Sequence, residues 1–280
     1  MSLVLDSWYT IGKLHLFCED YVCQGAVPFP HIILADGCSA SPDSDLGARL
    51  LVLNARRLLP RFASGAFDET DRIAQHWRLG RRIIRRAARQ ARDLGLDEGI
   101  LDATLLIAWC DGDTVHVHLY GDGCIATRST TGAVAAIQVE YAENAPYYLS
   151  YLLDAERGAL YREAIGDARQ GQRISYLHEE GATARLELFD TPTVFSFNRA
   201  TFPTIAVSTD GLQSLMNADT GERINLLEVA RRLLDFPNRE AGFVKRRTHE
   251  VLAEYGRRRV VNLDDLGWGA FVSADDPFDV

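Results

Sequence analysis

Two short runs constrain the fold of this chain more than any other feature. "IILAD" (residues 32–36) and "TIAVSTD" (residues 204–210) are almost wholly apolar and then stop at an Asp-Gly pair. Apolar runs of this length, bounded by turn residues, read as strands buried on both faces. Such strands need a packed layer on each side. The closing aspartates have two readings. Asp-Gly is among the commonest turn dipeptides, but a carboxylate held at the end of a buried strand is also placed to do chemistry.

The surrounding pattern predicts an α+β chain. Strands are expected over residues 8–18 and 31–35, then a helix LGARLLVLNARRLL with Ser44 or Asp45 as its N-cap. A second helix is expected from about Asp68 to Leu94, with Ile73, Trp77, Ile84, Ala88, Ala91 and Leu94 at helical spacing. Arg78, Arg81, Arg82, Arg85, Arg86, Arg89 and Arg92 fall mostly on its other face. They read first as a solvated face and second as a patch for an anionic partner. ATLLIAW and TVHVHLYG form a hairpin about Asp111-Gly112, and CIATRS and VAAIQVEY continue the meander. Residues 142–200 mix helix-like and strand-like stretches. TIAVS, two helices over 225–236 and about 240–257, and a last strand LGWGAFV complete the order. Strands, two helices, strands, two helices, strand: this order reads as α+β, with sheets packed on each other and helices outside. Residues 1–280 are expected to form one domain.

Composition removes several classes. No apolar stretch approaches a membrane span, and the N-terminus lacks the basic start and long apolar run of a signal peptide. A soluble cytoplasmic protein with no membrane partner is expected. The five cysteines, Cys18, Cys23, Cys38, Cys110 and Cys124, are odd in number and form no C-x-x-C pair, so reduced thiols are expected. A net charge of −9 argues against a nucleic-acid binder working by bulk attraction.

Carboxylates recur at the expected strand ends. Asp36 and Asp210 close apolar runs, Asp122 follows LYG, Asp264-Asp265 precedes LGWGAFV, and Glu19-Asp20 closes KLHLFC. With the strands side by side, these groups would converge on one end of the sheets. Carboxylates sharing a small volume raise one another's pKa, a cost that a divalent cation removes. All-oxygen ligation favours Mg²⁺ or Mn²⁺ over zinc or copper. Two such ions a few ångströms apart can deprotonate a bridging water and clamp a phosphoryl group. The glycine after each aspartate permits a sharp turn and leaves its carbonyl open to a metal.

The order Glu-Asp, Asp-Gly, Gly-Asp-Gly, Thr-Asp-Gly-Leu, Asp-Asp resembles the metal-dependent type 2C serine/threonine protein phosphatases, most of all their bacterial branch. Ala35-Asp36-Gly37 with Ser39, Ser44 and Gly47-Ala48 resembles the first block, and Ala103-Thr104-Leu105 the strand opening before the hairpin. Gly121-Asp122-Gly123 and Thr209-Asp210-Gly211-Leu212 resemble the later blocks. The resemblance implies that Asp36 bridges two metals and that the Gly37 carbonyl binds one of them. It implies that Asp210 and Asp264 hold one ion and Glu19 the other, with Asp20 acting through bound water. Asp122, with Asp210, would help hold a third, weaker ion. It implies a fold of two packed antiparallel β-sheets flanked by helix pairs, an αββα sandwich, and hydrolysis of phosphoserine or phosphothreonine on a phosphorylated protein substrate. Residues 142–200, including ENAPYYLSYLLD, are expected to shape the rim of the site and its choice of substrate. Two departures stand out. His15 occupies the place of the family's phosphate-holding arginine, and could contact phosphate or serve as the acid. Cys38 stands where a histidine often follows the first Asp-Gly. Gly267-Trp268-Gly269 also departs from the usual closing run, with an effect expected on packing rather than ligation.

Three rivals remain open at this point. Asp111-x-Asp113-Thr114-Val115 resembles the nucleophile motif of haloacid-dehalogenase-type phosphatases, which needs a crossover and helix after it. His116-x-His118 places two imidazoles on one strand face, as a zinc site would, with packing as the plainer account. A catalytically inactive phosphatase-like module that binds a partner would be marked by a missing core ligand.

Overall fold

The computed structural model describes residues 3–63, 69–165 and 171–274. Its first strands are β1 (Leu3–Thr10), β2 (Asp20–Gly25) and β3 (His31–Asp36). Helices α1 (Ser44–Ala63) and α2 (Glu69–Asp93) follow, then β4 (Leu105–Asp111), β5 (Thr114–Tyr120), β6 (Gly123–Arg128) and β7 (Val134–Tyr141). Next come α3 (Ala155–Ile165), β8 (Gln172–His178), β9 (Gly181–Glu187), β10 (Thr193–Asn198), β11 (Thr204–Ser208) and β12 (Leu215–Asn217). The chain closes with α4 (Leu226–Leu233), α5 (Phe243–Arg257), β13 (Val260–Asn262) and β14 (Leu266–Ser273).

Two antiparallel sheets carry the fold. One runs β1-β14-β11-β6-β7-β8-β9 and the other β10-β5-β4-β3-β2. Their inner faces meet through Ile32, Leu34, Leu106, Val117, Ile125, Ile205, Val207 and Phe271. Because side chains alternate along a strand, Ile33, Ala35, Leu105, Ile107 and Trp109 face outward, against Leu51, Ala55, Leu79, Ile83 and Ala87 of α1 and α2. On the far side α4 and α5 cover the larger sheet, with Val229, Leu233, Val251 and Tyr255 packed on Ala206, Trp268 and Ala270. The αββα sandwich therefore follows from burial on both faces of the central strands, as the apolar runs predict.

Local expectations are met unevenly. The 105–120 hairpin forms as predicted, with Gly112 at φ +58° in its turn. Asn225 caps α4, accepting from Leu227 N and Glu228 N. The expected strand over 8–18 is wrong beyond Thr10. Leu14 and Leu16 alternate with polar neighbours as a strand would, yet are 74% and 97% exposed. The cause is tertiary: the buried Asp265 carboxylate accepts from Gly12 N (2.8 Å) and Glu19 N (2.5 Å), pinning both ends of a loop. Glu19-Asp20 thus leads into β2 rather than closing β1. Of the positions expected to share one face of the second helix, Ile84, Ala88 and Ala91 are buried, joined by Leu79, Ile83 and Ala87, while Ile73 and, just past the end of α2, Leu94 lie exposed. The expected helix start at Asp68 lies outside the described residues. In 142–200, Tyr147, Tyr161 and Phe189 form a small aromatic core of their own. From there β10 returns to the edge of the smaller sheet beside β5.

Candidate metal centre

The strand ends place the carboxylates. In the β2–β3 pair Asp20 stands directly opposite Asp36. Like charges so placed destabilise a sheet. Thr104 N donates to Asp36 O (2.8 Å), aligning β4 with the same end. β5 returns there and leads into Asp122, while Ser208, just before Asp210, pairs with both Cys124 and Trp268. Asp264 precedes β14. Five aspartates from five separate segments thus share one end of the sandwich.

The glycines after Asp36 and Asp210 permit close approach. A Cβ on Gly37 would lie 2.7 Å from Ser44 O, at the start of α1. One on Gly211 would fall on the Asp265 carbonyl oxygen. Neither has a positive φ, but Gly211 lies in the tight turn Asp210–Gln213, and Gly123, after Asp122, has φ +149°. Gly37 lets the first helix come up against Asp36.

A cleft of about 280 Å³ opens here. Asp36, Gly37, Cys38, Asp122, Asp210 and Asp264 line it together with Asn144, Pro146 and Tyr148. Among the described residues neither lysine nor arginine lines it. Burial, then repulsion from Asp20, Asp210, Asp122 and Asp264, pushes the Asp36 carboxyl well above its usual range. Burial and neighbouring aspartates push Asp20 and Asp122 up as well. For Asp210, burial and Asp264 raise the pKa to about 6 although a hydrogen bond from Asp36 pulls it down. Asp264 is raised too, chiefly by burial. Oδ1 of Asp20 and Oδ1 of Asp210 are buried without a hydrogen-bond partner. Converging aspartates with unmatched oxygens fit a hard divalent cation.

Glu19 and His15 are arranged differently. Glu19 accepts from Ser44 Oγ (2.6 Å) and Ser39 Oγ (2.5 Å). His15 Nδ1 lies 3.3 Å from Glu19 Oε2 and 3.1 Å from Asp265 Oδ2, and its Nε2 lies 3.1 Å from Asp264 Oδ1. Neither residue lines the cleft. Asp20 sits behind it, accepting from Thr209 Oγ1 (2.9 Å). Sequence reading gave no role to Asp265 or Thr209, although the doubled aspartate was a visible signal for Asp265. Residues 142–200, including ENAPYYLSYLLD, were expected at the rim of the site, and Asn144, Pro146 and Tyr148 line the cleft.

The rival motifs lie elsewhere. Asp111 is exposed in the hairpin turn, at the far end of β4 from Thr104, and an antiparallel strand follows it at once. His116 and His118 are buried under α2, where His118 stacks on His76 at 5.3 Å and His116 Nδ1 meets Ser196 Oγ at 3.0 Å. The pair is packed, as the plainer account had it.

Comparison with known proteins now decides the family. The family model for protein phosphatase 2C matches residues 13–254. The chain belongs to the protein phosphatase 2C family. It is a protein phosphatase by that membership. No curated protein sequence matches the chain. Among solved structures, the serine/threonine phosphatase Stp1 from Staphylococcus aureus is similar at a TM-score of 0.56 and 11% identity, covering 97% of this chain and 95% of that one. PppA of Pseudomonas aeruginosa is similar at 0.54 and 14%, covering 97% and 98%. The catalytic domain of the phosphatase PstP, solved with two manganese ions, is similar at 0.52 and 15%, covering 96% and 97%. At these identities the likeness is one of fold.

Proposed function

We propose that this family member hydrolyses phosphoserine and phosphothreonine on proteins at a centre for two divalent cations, Mn²⁺ or Mg²⁺. The observation that carries the reading is the convergence of Asp20, Asp36, Asp122, Asp210 and Asp264, two of them with unmatched buried oxygens. The PstP structure with two manganese ions adds support by analogy.

Asp36, the Gly37 carbonyl, Asp210 and Asp264 would hold the pair, with Asp122 beside Asp210 suited to a third, weaker ion. Divalent cations there supply Lewis acidity, which lowers the pKa of water and neutralises phosphoryl oxygens. The residues do the rest. Asp20, fixed by Thr209, offers its free Oδ1 to orient water. With neither lysine nor arginine among the described residues of the cleft wall, phosphate must rely on cations and on neutral donors. Tyr148 and Asn144 line the cleft with the aspartates and are placed to donate. We read Glu19 as a brace, since its oxygens already take two serines and His15. His15 is likewise a brace for Asp264 and Asp265, rather than a phosphate anchor. A cysteine nucleophile needs cationic surroundings, whereas Cys38 shares its cleft with four aspartates.

We also take residues 1–280 as one domain acting in a reducing cytoplasm, in keeping with five free cysteines. No helix among the described residues is long and apolar enough to cross a membrane. The test is hydrolysis of p-nitrophenyl phosphate and a phosphothreonine peptide with Mn²⁺, with EDTA, and in Asp36→Asn. Activity should vanish in the last two conditions and survive in Asp111→Asn. Turnover that persists in EDTA refutes the cation centre. Absence of both metal uptake by calorimetry and turnover would make the chain a binding module.

A further inference from the structure

The outer surface of α2 has a use that the cleft does not explain. Arg78, Arg81, Arg82, Arg85, Arg89 and Arg92 are all exposed. At 100° per residue they fall within a single arc of about 100°, and from first to last they span about 21 Å of helix. Leu79, Ile83, Ala87 and Ala91 occupy the buried side. Among the described residues only Arg92 of the six has a carboxylate partner, Glu98 at 3.0 Å. Arg82 lies over the Phe62 ring at 5.3 Å.

This arrangement opposes helix stability. Like charges at i,i+3 and i,i+4 repel, and a helix face kept for solubility alone interleaves both signs. Residues 44–93 carry twelve arginines, no lysine and five acidic groups, a net +7, against −16 for the rest of the chain. All of the cations are arginines, whose planar fork pairs two-to-two with carboxylate or phosphate.

The stripe also leads towards the cleft. Beyond Arg92 the chain passes through Glu98 and reaches Asp102, whose carbonyl accepts from Cys38 N at 2.8 Å, and Thr104, which borders the cleft. We infer that the arginine face of α2 is an exosite for an acidic segment of the phosphoprotein substrate, bound while the phosphorylated residue enters the cleft. This rests on the phosphatase reading above. A protein segment fits better than a nucleic acid. The stripe is short, among the described residues it carries one aromatic ring (Phe62 under Arg82) rather than a row of stacking platforms, and the rest of the molecule would repel a long polyanion.

The test uses the Mn²⁺-loaded full chain and two phosphothreonine peptides that differ only in a flanking tract of about eight glutamates or glutamines. KM for the glutamate peptide should be about tenfold lower, as expected for several exposed ion pairs acting together. That advantage should disappear at about 0.5 M salt. In Arg78→Gln/Arg82→Gln/Arg85→Gln/Arg89→Gln, which keeps helix-forming residues, the preference should disappear while p-nitrophenyl phosphate turnover stays unchanged. Equal KM values in the wild type, or a preference that survives the substitutions, overturns the exosite. Fluorescence anisotropy of the unphosphorylated glutamate peptide reads the same surface without catalysis. An inactive protein that binds it through these arginines would refute the phosphatase reading and leave the surface standing. Tighter binding of a DNA oligonucleotide of equal charge would overturn the assignment to a protein segment.

Discussion

Replacing Asp210 by asparagine should stabilise the protein in EDTA while destroying its metal site. In the unfolded chain this carboxyl has its usual value of 3.8, and in the folded, metal-free protein burial and Asp264 push it to about 6. Between those values the folded state keeps a proton that the unfolded state has lost. Stability therefore falls as pH rises from about 4 and levels off above about 6. At ~1.4 kcal/mol per pH unit, the ionised Asp210 costs the folded state about 3 kcal/mol at pH 8. Solvent reaching the cleft screens part of this, so about 2 kcal/mol is the working figure. Asparagine keeps the shape and removes the charge. In EDTA at pH 8 the variant should be more stable by about 2 kcal/mol, or about 4 °C in Tm. Near pH 4 the gap should close. Urea and thermal unfolding at the two pH values measure it, and the change in the gap reads Asp210 together with the aspartates whose pKa its charge raises. A variant no more stable than wild type at pH 8, or a gap that ignores pH, would refute the electrostatic argument. With Mn²⁺ added, only the wild type should gain stability by mass action.

Other outcomes follow from the same geometry. Mn²⁺ binding should release protons near pH 6 and tighten from pH 5 to 7, because raised carboxyls must ionise to ligate. Calorimetry in two buffers of different ionisation enthalpy reads this, and pH-independent binding would exclude these aspartates as ligands. Gly211→Ala should destabilise the protein by about 3 kcal/mol, since its methyl meets the backbone of Asp265. A change below about 0.5 kcal/mol would show that the two segments can part. Arg157→Ala removes a 2.8 Å partner of Asp102, which also accepts from Ser41 (3.2 Å) and Ser150 (2.5 Å). It should loosen the wall that carries Tyr148, raising KM for a phosphopeptide a few-fold while leaving p-nitrophenyl phosphate turnover alone.

Much of this was legible in the chain because the signals are local. The central strands announce themselves as short apolar runs, and the helix pairs by spacing. Asp111-Gly112 and Asp36-Gly37 have similar apolar lead-ins, and only their company along the sequence separates them. The reading failed where a distant group overrode local pattern. KLHLFC alternates like a strand but is a loop, because the Asp265 carboxylate captures amides on both sides of it. Ile73 was assigned to a buried face from its spacing and is 45% exposed. Tyr148 reaches the cleft on a segment without a periodic signal.

By itself the sequence determined the central strands and the two helix pairs, and that acidic groups stand at the strand ends. Burial periodicity and turn chemistry are properties of neighbours in the chain, so a linear reading reaches them. Tertiary structure alone decided what those carboxylates face. Asp20 opposes Asp36 through strand register, Glu19 spends its oxygens on Ser39 and Ser44, and Asp265 holds Gly12 across 253 residues. Whether a carboxylate is a free ligand or a structural acceptor depends on such distant partners. The same holds for the arginines of α2: their spacing is written in the sequence, but that most of them lack a carboxylate partner among the described residues appears only once the chain has folded.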